Sequence, residues 1–135
     1  MTSSPSPSFN DLIGMKYDWS SSPSDGTGRT NCFALCMEAR KRLGLTDFRK
    51  QFENLYKEHS PQDISIRQIL KLLRQYGQCI HEAIPGALFC LPSPSGGIAM
   101  AVIIDGESCL MLSPGKHVTR LPFATVTKGK YYWAE

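Results

Sequence analysis

Histidine is scarce in this chain, with three in 135 residues, at positions 59, 81 and 117. Any chemistry that needs an imidazole has to draw on one of them. No apolar run is long enough to cross a bilayer. The start, Met1-Thr2-Ser3-Ser4-Pro5-Ser6-Pro7-Ser8, has neither the basic residues nor the apolar stretch of a signal peptide, so the expectation is no membrane span. A dominant charge is missing too: fifteen basic and twelve acidic residues leave a formal net charge of +3. The densest basic run, Arg40-Lys41-Arg42, reads as a solvated helix end, where cations suit the helix dipole. Nucleic-acid binding would need a wider basic stripe or interleaved aromatics, which excludes that class. The five cysteines form no pairing frame: their number is odd, and Cys36, Cys90 and Cys109 sit within apolar patterns. They read as reduced and mostly buried, which points to the cytoplasm as the place of synthesis. Cys79 and His81 stand two apart with no second pair at ligand spacing, so neither a metal nor another cofactor is expected.

What is present is enough apolar material, 41% of the residues, for a core that needs no staple. Residues 1–8 are too rich in serine and proline to bury much surface, and read as a flexible arm ahead of one domain at 9–135. Within it the pattern predicts a short helix at 10–14, a helix at 31–43 closed by Gly44, and another at 46–58 with Phe48, Phe52 and Leu55 on one face. Ser65 and Gln68 spell a capping box for a further helix ending at Gly77, with Ile64 and Ile69 as its staple. After Pro85 the pattern turns to strands, at 87–91, 98–104, 107–112, 116–121 and 131–133. Asp105-Gly106 predicts a type I′ turn between the second and third. Helices followed by an antiparallel sheet make an α+β arrangement.

Chemically the most informative segment is Asn31-Cys32-Phe33-Ala34-Leu35, set behind the turn-rich run from Ser20 to Gly28. It puts Cys32 in the first turn of a helix, where free backbone N–H groups and the helix dipole favour thiolate. Catalysis would still need a base, and the same pattern fits a small buried hydrophobe.

The chain resembles the NlpC-type papain-like cysteine peptidases, which cut the stem peptides of bacterial peptidoglycan. Leu12-Ile13-Gly14-Met15-Lys16-Tyr17-Asp18-Trp19 is similar to the family's opening motif. Asn31-Cys32-Phe33-Ala34-Leu35 is similar to its nucleophile motif, keeping the cysteine and leucine but not the aspartate, serine and glycine. Pro85-Gly86-Ala87-Leu88-Phe89 stands for a Pro-Gly-Asp-Leu strand, and Ala99-Met100-Ala101-Val102 for the strand that carries the family's histidine. The resemblance implies a papain-like fold with helices packed on an antiparallel sheet. It also implies Cys32 at the nucleophile position, Ala99 at the position of the lost histidine, and Tyr17 lining the groove unless it is simply a buried anchor alongside Trp19.

Alanine cannot accept a proton, and the position that would orient an imidazole falls near Leu110 or Met111, both apolar. His117 is the best substitute base, ahead of His81 and His59, since none falls on the expected strand. Two functions follow from the resemblance. One is a non-catalytic structural module that binds other protein subunits, as in a bacteriophage tail tip or baseplate, located in the virion after cytoplasmic synthesis. The other is an active cysteine hydrolase acting on peptidoglycan through Cys32.

Overall fold

The computed structural model describes residues 8–47, 49–50, 65–92, 98–113, 115–126 and 131–133. The helix expected at 46–58, the staple residue Ile64 and the arm expected at 1–8 lie wholly or largely outside those residues. The chain opens with successive turns at 10–14 in place of the short helix, closed by N–H bonds from Leu12 to the Phe9 carbonyl and from Met15 to that of Leu12. Five residues ending in a positive-φ glycine, Gly14, are too few for a helix to repay its nucleation.

Two short strands, β1 (Lys16–Tyr17) and β2 (Arg29–Thr30), pair in parallel and lead into α1 (Cys32–Arg42). Asn31 caps α1, and Gly44, at φ +80°, turns the chain away after it. A further helix, α2 (Ile66–Tyr76), starts at the capping box read from Ser65 and Gln68, with both reciprocal bonds formed. Six strands then make one antiparallel sheet: β3 (Gln78–Ile80), β4 (Leu88–Pro92), β5 (Ile98–Ile103), β6 (Ser108–Leu112), β7 (Thr119–Pro122) and β8 (Tyr131–Trp133). Their spatial order is β3-β8-β4-β5-β6-β7, so the last strand inserts between the first two. The fold class is α+β.

The β5–β6 hairpin pairs Met100 with Leu112 and Ile103 with Cys109. Its connection is not the type I′ turn that Asp105-Gly106 predicts: neither residue has positive φ. A three-residue loop at 105–107 forms instead, because the Asp105 carboxylate accepts the N–H groups of Glu107 (2.8 Å) and Ser108 (2.6 Å).

Among the described residues, α1 and α2 cover one face of the sheet. Phe33, Cys36 and Met37 of α1 and Ile69 and Leu73 of α2 pack with Leu88, Met100, Val102, Leu110 and Leu112. Each fully buried side chain of this size is worth about 1.5–3 kcal/mol. The other face carries Phe89, Ala101, Ile103, Cys109 and Tyr131, with Phe89 and Tyr131 meeting edge to face.

The basic run at the end of α1 is not the solvated end its composition implies. Arg40 is 0% exposed and donates from Nη1 to the Gly86 carbonyl (2.6 Å) and from Nε to that of Thr46 (3.1 Å). Arg42 grips both Asp11 carboxylate oxygens (2.6 and 2.8 Å) and the Ser8 carbonyl, holding the entering chain against the helix; only Lys41 faces solvent. Among the described residues no helix is long and apolar enough to cross a membrane.

Candidate functional site

The site assembles where the loop before α1 meets the middle of the sheet. Asn31 is extended (φ −88°, ψ 168°), and its Oδ1 accepts the Ala34 N–H at 2.7 Å. Its Nδ2 donates to the Trp19 carbonyl (3.1 Å), and its own N–H donates to that of Ser21 (3.0 Å). One side chain thus caps the helix and ties it to the segment that carries Tyr17. Replacing Asn31 with Ala is expected to cost about 1–2 kcal/mol in a urea titration. Asn31→Asp, which keeps the cap but loses the donor to Trp19, should cost less.

Cys32 is 2% exposed at the first position of α1. Burial pushes its thiol up to about 12, against the backbone N–H groups of Cys32, Met100 and Phe33, which pull it down. The Met100 N–H places the sulfur over β5. Tyr17 is half-buried against the same core, within electrostatic reach of Cys32 and Asp18, and its phenol is raised chiefly by burial. Cysteine helix, tyrosine and strand therefore come together.

Ala99 does not face this assembly. It is buried, paired with Leu91, and the alternation of β5 turns it to the face that holds Ala101 and Ile103. The residue that β5 turns toward α1 at this level is Met100, with Cys90 beside it on β4. A histidine at position 99 would point away from the thiol. The two residues considered for the orienting role also split: Leu110 joins the helix-side core, and Met111 packs on the other face.

His117 is exposed, its backbone paired with Lys16, and His81 is exposed just beyond β3. Neither figures among the groups acting on Cys32; His59 lies outside the described residues. Around the sulfur stand other thiols instead. Cys36 and Cys90 are raised by burial and further by Cys32, while Cys109, on the opposite face, is pushed up to about 11 by burial alone. Among the described residues no group of three or more His, Cys, Asp or Glu side chains has the geometry to hold a metal ion. Met100 and the bridging role of Asn31 are the site features that sequence reasoning missed. An asparagine immediately before a helix was a usable signal for the second.

No family model, curated protein or solved structure matches the chain.

Proposed function

We propose that this chain is a non-catalytic structural module that works through contacts with other protein subunits, in an assembly such as a bacteriophage tail tip or baseplate. The observation that carries the non-catalytic reading is the state of Cys32, buried at 2% exposure with its thiol pushed up to about 12. A cysteine nucleophile acts as thiolate and hands its proton to a neighbouring base. Here the β5 side chain level with Cys32 is Met100, a thioether that accepts no proton at neutral pH. The tail assembly is inferred from the resemblance of the Leu12–Trp19 and Asn31–Leu35 segments to NlpC-type domains.

An active peptidase or amidase on peptidoglycan is the second reading. It is favoured by Cys32 standing at a capped helix N-terminus with Tyr17 close by. Cys32→Ala separates the two. The variant is expected to incorporate into the assembly as the wild type does and to leave its activity intact, at a folding cost of about 1 kcal/mol. The checks are purification of the assembled particle and a peptidoglycan hydrolysis assay side by side. Normal incorporation with hydrolysis abolished would overturn the structural reading.

A further inference from the structure

We propose that Arg29, Lys16 and His117 form a docking row for an acidic helix on a partner subunit, a proposal that rests on the reading of the chain as an assembly module. Lys16 lies directly opposite Arg29 in the β1–β2 pair. On its other side an isolated antiparallel bridge sets it opposite His117. Three adjacent segments therefore present these residues in register, from one face, about 5 Å apart. All three are exposed, whereas in the next row of the β1–β2 pair Thr30 is buried and Tyr17 half-buried.

Like charges directly opposite each other in a ladder are destabilising, and Lys16 and Arg29 are placed so. Local compensation is slight. Arg29 meets the Asp18 carboxylate only at 4.0 Å, and no ion pair engages Lys16 among the described residues. The surface thus holds positive charge at a folding cost, which an anionic partner would offset.

Spacing selects the kind of anion. Carboxylates three and four residues apart on a helix stand about 5–6 Å apart, close to the spacing of the row. On one face of an extended strand they stand about 6.7 Å apart, a poorer match. Nucleic acid is disfavoured by the shortness of the row and by the lack of exposed aromatics, since Ile13 is the only large hydrophobic exposed among the described residues.

The test is fluorescence anisotropy with a labelled alanine-based helical peptide bearing glutamates at alternating three- and four-residue intervals. An extended Thr/Glu peptide of equal charge and a single-stranded oligothymidylate serve as competing probes. At low ionic strength the helical peptide should bind best, and added salt of about 0.5 M should release it. Lys16→Glu with Arg29→Glu should weaken binding by at least about tenfold. Lys71→Glu with Arg74→Glu, exposed on α2 and identical in net charge change, should stay within about twofold. Circular dichroism confirms that both double variants are folded. An equal loss in the two double variants, tighter binding of either competing probe, or no binding of the helical peptide would each overturn the docking row. Cys32-dependent peptidoglycan hydrolysis by the wild-type chain, measured in parallel, would instead remove the module reading and leave the anisotropy result to be judged by itself.

Discussion

Arg40→Ala should lower the stability of the domain by about 3–4 kcal/mol, seen as a shifted urea midpoint and a melting temperature roughly 10 °C lower. The guanidinium is 0% exposed and donates to two carbonyls, those of Gly86 and Thr46, that belong to different parts of the chain. Truncation removes two charge-assisted bonds and leaves the buried Gly86 carbonyl without this donor, and it opens a void where the aliphatic stem packed. Gly86 sits at φ +92° in the turn before β4, where an added Cβ would meet the Leu45 side chain. That turn therefore has little freedom to move in and satisfy itself. Arg40→Met, which fills the stem volume and loses only the polar bonds, should recover about half of the loss. A cost below about 1 kcal/mol for the alanine variant would mean that water reaches both carbonyls and that Arg40 does not pin α1 to the sheet.

Cys32 should react with iodoacetamide about a thousandfold more slowly than an unperturbed cysteine near neutral pH. Its thiol is pushed up to about 12 from an ordinary 9.0, and each unit of that difference removes a factor of ten in thiolate. Limited access to a 2% exposed sulfur slows it further. Because the folded-state value is raised, the rate should climb steadily with pH and show no plateau below about pH 10. Exposed Cys79 on the edge strand β3 is the internal standard and should label first, as peptide mapping of a time course would show. If Cys32 labelled as fast as Cys79 in the folded protein at neutral pH, the thiol would be activated and the peptidase reading would lead.

The local grammar of the helices was legible because capping is a short-range interaction between residues three apart. Ser65 and Gln68 fix the start of α2 whatever packs on it, and Asn31 and Gly44 bracket α1 in the same way. The β5–β6 hairpin was legible from two apolar runs around Asp105-Gly106, but its turn type was not. Asp105 chose to hydrogen-bond its own backbone, an option that a dipeptide rule does not weigh.

The face of β5 could not be read from its residues. All six positions from Ile98 to Ile103 are buried, so apolar side chains point both ways and no alternation marks the side that α1 covers. Motif spacing therefore led to Ala99, whereas the sheet presents Met100 to Cys32. The same limit hid Arg40. The two carbonyls it holds lie 6 and 46 residues away, and the sequence around it looks like any basic helix end.

By itself, then, the sequence determined the α+β class, the limits of both described helices, and a thiol at a helix N-terminus. These follow from hydrogen bonding and periodicity within a few residues. Only the tertiary structure decided that this thiol is sealed under Met100 and Cys90, that Arg40 is internal, and that Arg29, Lys16 and His117 stand in one row. Each depends on strand register, which is set by packing between segments far apart in the chain and is invisible wherever both faces of a strand are apolar.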